Sequence, residues 1–197
     1  MGKLYAELDD RLRKFIARQP VFFVATTPDF GADLSGGHVI VSPKGCRDTF
    51  AILGPRAVAY LDLTGSGAET IAHVRQNGRI TIMFCSFSHE TKIVRLYGTG
   101  EVVLPGSARW EELASNFPRT ADRAAELTSQ RAIIVVDLER IADSCGYAVP
   151  EMALTGERDV LDRWVSTKTA AELADYRVEK NSVSIDGLPA LEPGWVR

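Results

Sequence analysis

The stretch Tyr60-Leu-Asp-Leu-Thr64-Gly-Ser66-Gly-Ala-Glu69-Thr-Ile-Ala-His73 runs an apolar strand through two glycines and into a helix with its own start signal. Ser66 and Glu69 have the S-x-x-E spacing of a capping box, in which the hydroxyl covers a free helical N–H and the carboxylate reaches back to the cap residue's own N–H. A helix begun this way turns its first N–H groups, and the positive end of the peptide dipole, toward whatever strand and loop bring there. A phosphate or carboxylate suits that position. Plain helix capping and an anion site both stay open here, because capping boxes are common and few mark ligands. The helix is expected to close at Asn77-Gly78, where glycine can take the left-handed conformation.

Outward from this stretch the chain reads as strands. Before it stand Val21–Thr26, His38–Ser42, Thr49–Leu53 and Ala57–Asp62; after it come Arg79–Phe84, Ile93–Val103 and Ala132–Leu138. Turn signals such as Pro28-Asp-Phe-Gly31, Pro43-Lys-Gly45 and Gly54-Pro-Arg56 separate them. Short strands joined by turns predict an antiparallel barrel or sandwich, mainly β with flanking helices. Leu4, Leu8, Leu12, Phe15 and Ile16 recur at helical spacing and predict an amphipathic N-terminal helix. Trp110–Phe117 and Thr120–Leu127 predict short helices between late strands.

The texture changes near Val149. Thr155–Trp164 and Thr169–Tyr176 are helically patterned, and Lys180–Leu191 is extended with too little apolar material for a core. Residues 1–148 are therefore expected to form the barrel domain, and 149–197 a helical and extended segment docked on that barrel or on a dimer partner.

Composition excludes several classes. With 197 residues, 45% hydrophobic and 25% charged, the chain can bury a sizeable core. A net charge of −3 without a Lys/Arg block leaves no footprint for nucleic acid. No run approaches the roughly 20 apolar residues of a membrane helix. Acidic residues in the first ten positions do not suit a secretory signal, which makes a cytoplasmic location the expectation. Cys46, Cys85 and Cys145 lie far apart, with neither C-x-x-C spacing nor a Cys/His cluster, so no metal site is expected. His73 and His89 read as surface residues. Ser66 lacks a G-x-S-x-G setting, and no constellation for nucleophilic catalysis stands out, which leaves catalytic residues unassigned.

The order of elements, a helix, barrel strands, a helix after the fourth strand and more strands, resembles the pyridoxamine 5′-phosphate oxidase-like family of flavin-binding split barrels over Val21–Val103. The resemblance implies a six-stranded antiparallel split β-barrel. The strand His38-Val39-Ile40-Val41-Ser42, followed by Pro43-Lys44-Gly45, is similar to the family's opening hairpin, where a basic residue reaches the FMN phosphate; Lys44 matches it, and otherwise reads as an exposed turn lysine. Leu63 and Thr64 match the apolar residue and Thr beside the flavin. Ala68, Glu69 and Thr70 occupy the places of the family's Ser-Arg-Lys phosphate grip, so a carboxylate and a hydroxyl replace two cations. Arg95 lies mid-strand, facing either solvent or a groove, and His38 either meets a cofactor or satisfies local backbone. The chain is also similar to a subgroup with a Ser184-Ile-Asp-Gly-Leu-Pro189 tail and no assigned activity.

The resemblance thus implies FMN as cofactor, held by His38, Val39, Ile40, Val41, Ser42, Lys44, Leu63, Thr64, Ser66, Glu69, Thr70 and Arg95. It further implies a homodimer with flavin at the subunit interface and an oxidoreductase acting on an unknown small molecule. A deazaflavin- or haem-binding relative on the same barrel, and a non-catalytic flavin-binding protein, are the alternatives. The short Gly194-Trp-Val-Arg197 end and the altered turn at Ala68–Thr70 argue against pyridoxamine phosphate itself as substrate.

Overall fold

Apolar runs that alternate with turn residues fold here into one curled antiparallel sheet, seen in a computed structural model that describes residues 2–31, 36–45, 47–120 and 129–192. The elements are β1 (Leu4–Tyr5), α1 (Asp10–Ala17), β2 (Phe22–Thr26), β3 (Ile40–Lys44), β4 (Phe50–Gly54), β5 (Ala57–Leu63), α2 (Glu69–Asn77), β6 (Arg79–Cys85), β7 (Lys92–Val103), α3 (Ala108–Ala114), β8 (Gln130–Cys145), α4 (Val160–Ser166) and α5 (Ala170–Asn181). The strand order is β3-β2-β6-β7-β8-β5-β4, with the two-residue β1 added to β8. This is the open half-barrel of a split-barrel fold with flanking helices, carrying eight strands in the described residues where six were expected.

Register decides which side chains meet. Ile40, Ser42 and Lys44 lie opposite Thr26, Val24 and Phe22, so the polar end of β3 shares a face with the barrel core. Strands β5 and β8 are buried on both faces. Val58 and Tyr60 point into the barrel with Ile134 and Val136, while Ala59 and Leu61 pack with Ile133 and Val135 under Trp110, Leu113 and Phe117. Double-sided burial is why these strands read as continuous apolar runs rather than alternating ones. Helix α1 buries Leu12, Phe15 and Ile16, as its spacing predicts.

Four expectations change. Leu4 belongs to β1, paired with Ala142, rather than to the first helix. The strand expected at His38–Ser42 is Ile40–Lys44, two residues later. His73 is fully buried; its Nδ1 lies 3.0 Å from Thr26 Oγ1, and burial holds its imidazole below the ordinary value against the pull of Glu69 and Asp186. The helix after β5 has Ala68, not Ser66, as its N-cap, without a side-chain cap. Its other end is as expected: Gly78 closes α2 at φ 73°, and a Cβ there would press on Thr99. Cys46, the rest of the helix expected from Thr120, and the Gly194–Arg197 end lie outside the described residues.

Candidate functional site

The end of β5 carries Asp62 into the barrel with no exposed surface. Such a carboxylate requires partners, and two cations reach it. Lys44 Nζ from β3 donates to Oδ1 at 2.9 Å, and Arg131 from β8 donates through Nε to Oδ2 at 2.8 Å. Burial alone would raise the Asp62 carboxyl; the Arg131 guanidinium and then Lys44 outweigh it and hold it below its usual value. Arg131 Nη1 also donates to Gly67 O at 2.8 Å, which fixes the loop before α2.

Above this cluster opens a cleft of about 540 Å³. Ser42, Lys44, Leu63, Ser66, Glu69 and Thr70, six of the residues singled out in the sequence, line it together with Arg131 and Ile185. The other six lie elsewhere. Val39 borders a cavity of about 320 Å³ beside Tyr97 and Arg79. Ile40 and Val41 continue β3 away from the cleft. Arg95 stands opposite Met83 on the face that Val94 and Leu96 do not share, and donates to Ser144 Oγ at 2.9 Å. His38 gives its backbone N–H and an Nδ1 contact to Asp186, at 2.8 and 2.7 Å. The His38 backbone N–H and then its ring hold the Asp186 carboxyl below its usual value. Thr64 turns to the C-terminal segment.

That segment meets the cleft from the far side. Arg177 of α5 donates from Nε and Nη2 to Thr64 Oγ1, at 3.1 and 2.9 Å, and from Nη2 to Gln130 O at 3.0 Å. Burial, helped by nearby Arg131, pushes its guanidinium down to about 10. Asn181 Nδ2 donates to Gly65 O at 2.9 Å, and the Ile185 N–H to Glu69 Oε2 at 3.0 Å. The turn carrying Ile185 is built by Ser184, whose Oγ accepts from Leu188 N at 3.1 Å, and by Gly187 at φ 78°. Glu69 is thus occupied by the tail and cannot serve a capping box. Asp62, Arg131 and Arg177 escaped the sequence reading. The first two had a signal, a charge set inside or at the mouth of an apolar run, whereas Arg177 looks like any surface helix residue.

A sequence model of the family described as pyridoxamine 5′-phosphate oxidase matches residues 8–145, from ahead of α1 to the last residue of β8. The chain belongs to this family. The family protein ustO of Aspergillus flavus is 40% identical over 205 residues, covering 97% of this chain and 78% of that protein. Among solved structures, a candidate pyridoxamine 5′-phosphate oxidase from Lactobacillus delbrueckii superposes with TM-score 0.51 at 21% identity, over 72% of this chain and 98% of that one. HupZ of Group A Streptococcus gives TM-score 0.51 at 19% identity, over 74% and 98%. These two likenesses speak to the fold. The family match contains Lys44, Asp62 and Arg131 and stops before Arg158, Trp164, Tyr176 and Arg177. No described helix is long and apolar enough to cross a membrane, and no metal-holding cluster of His, Cys, Asp or Glu occurs among the described residues.

Proposed function

We propose that this chain is an FMN-dependent oxidoreductase acting on a small molecule, with the FMN phosphate in the Lys44 cleft. The supporting observation is the uncapped head of α2 beside Lys44. An ammonium has three protons, and Lys44 gives one to Asp62, leaving the others for a ligand in the cleft it lines. With no side-chain cap on α2, its first N–H groups suit an anion. A side chain added at Gly65 would meet nothing within 4 Å, which leaves room for a ligand. The residues therefore fit one phosphate. Arg131 donates through Nε and Nη1 to Asp62 and Gly67, and in this reading holds the loop rather than the ligand. Glu69 weakens the fit by placing a carboxylate at the lip. FMN, when bound, supplies the electron transfer at its ring, while the protein binds, orients and shields it.

The proposal includes a homodimer that encloses the flavin. Val39 and Val41, 69% and 60% exposed, leave apolar side chains on the edge strand β3 and just before it, which a second subunit would cover.

The decisive experiment titrates FMN and riboflavin into wild type and Lys44→Ala. Losing a charge-assisted hydrogen bond should weaken FMN by about ten- to a hundredfold, while riboflavin, which has no phosphate, stays unchanged. Equal responses of the two flavins would place the phosphate elsewhere. A Soret band in the purified protein, or a colourless protein that takes up no flavin, would overturn the cofactor itself.

A further inference from the structure

A second cavity, of about 420 Å³, lies on the other side of the Thr64-Gly65 loop, under the hairpin of α4 and α5. Its walls are Val160, Leu161 and the rings of Trp164 and Tyr176, which meet edge to face at 4.8 Å between centroids. The hairpin is held at this spot by the Arg177 bonds to Thr64 and Gln130 and by Asn181 on Gly65. Lys168 Nζ stands 5.8 Å from the Trp164 ring centroid. Among the described lining residues only Arg158 is charged, and it makes no hydrogen bond or ion pair with any described residue. The neighbouring acid Asp159 pairs instead with Arg163, at 3.1 Å. Gly65 borders both this cavity and the Lys44 cleft.

A volume of this size lies within the range of small-molecule pockets, which are mostly apolar with a few polar groups that fix orientation. Two aromatic rings favour a flat π-system, and a guanidinium that pairs with none of the described residues, at an apolar mouth, favours a carboxylate, which it can grip with two parallel N–H donors. A phosphate is the poorer match, since Arg158 is the only charged side chain among the described residues that line the cavity. We propose that this cavity binds a planar aromatic carboxylate, its acid on Arg158 and its ring against Trp164 and Tyr176, and that this class includes the substrate of the flavin site next door. The substrate role rests on the flavin reading above; the binding site does not.

The test is calorimetric titration of 2-naphthoate and of its neutral counterpart 2-naphthylmethanol, with the full chain as purified and again after FMN has been added. Both should bind, the acid more tightly. Arg158 is exposed, so Arg158→Gln should leave folding intact; it should weaken the acid by about tenfold and leave the alcohol alone. Leu161→Trp, which fills the cavity, should abolish both. An equal loss of acid and alcohol in Arg158→Gln, binding that survives Leu161→Trp, or no binding at all would overturn the proposal. So would displacement of naphthoate by FAD but not by FMN, since the cavity would then hold the nucleotide half of a longer cofactor. A protein that takes up no flavin yet binds naphthoate in the Arg158-dependent way refutes the flavin reading and leaves this site standing.

Discussion

Helices α2 and α5 open on the same four-residue signature, Ser66-Gly-Ala-Glu69 and Thr169-Ala-Ala-Glu172, and only the second becomes a capping box. In α5 the Thr169 hydroxyl accepts from Glu172 N at 3.2 Å, and Glu172 Oε2 accepts from Thr169 N at 2.7 Å. In α2 the helix begins later, at Glu69 with Ala68 as its N-cap, and the carboxylate half of the box is claimed from far along the chain. Arg131 holds Gly67 O, and the Ile185 N–H takes the Glu69 carboxylate. The signature is thus carried out where nothing distant competes, and suppressed where the C-terminal tail takes its carboxylate. A suppressed cap is what leaves α2 facing the Lys44 cleft.

The largest effect falls at Asp62, which anchors Arg131, the residue that holds the loop before α2 through Gly67 O. Asp62→Asn would leave the buried Arg131 guanidinium, and the part-buried Lys44 beside it, without their counter-charge, at a cost of about 3–5 kcal/mol. Urea unfolding at pH 7 measures it, and a loss under 1 kcal/mol would mean that the cluster does not hold the loop. The pH dependence follows from the direction of the shift. The folded carboxyl titrates below its unfolded value of 3.8, so its contribution is fully present above that value and disappears as the pH falls through the lower, folded one. The gap between wild type and Asp62→Asn should stay constant from pH 7 to about 5 and narrow below about 4.

How far the sequence foretells this contrast depends on distance along the chain. Strands β2, β5 and β6 were legible within a residue or so because their apolar runs coincide with their pairing. β8 was expected at Ala132–Leu138 and runs Gln130–Cys145, since Glu139 and Arg140 face outward while the backbone goes on pairing with β7. Six cleft residues could be named from the family pattern. Asp62 and Arg131 had a readable signal, a charge in an apolar run, and its weight appears only once β3 and β8 bring Lys44 and the guanidinium to one carboxylate. Arg177 had none, because its contact with Thr64 spans 113 residues. His73 looked like a surface residue because helix periodicity cannot show that β2 covers it.

The seam between the two helices comes next in size. Arg177 is tied to Thr64 and Gln130, so Arg177→Ala removes charge-assisted bonds worth about 1.5–3 kcal/mol before any relaxation. The loss should fall on the hairpin: amide exchange in α4 and α5 should speed up several-fold, while β5 and β8 stay protected. Uniform acceleration across the barrel would instead make Arg177 part of the main core and dissolve the distinction between the Lys44 cleft and the α4–α5 hairpin.

The smallest effect is the most direct reading of the two helix starts. Thr169→Ala deletes a side-chain cap that the structure shows, and such losses cost about 0.5–2 kcal/mol; the site is exposed, so the lower half of that range applies. Ser66→Ala removes a hydroxyl that caps nothing, and its unfolding midpoint should match wild type. A double comparison with Glu172→Ala and Glu69→Ala sharpens this. In α5 the Thr169 and Glu172 changes should couple, since each residue of the box supports the other. In α2 the Ser66 and Glu69 changes should add independently, because Glu69 answers to Ile185. Coupling at α2 would mean that the box forms in solution after all, and the open helix head on which the phosphate reading depends would be lost with it.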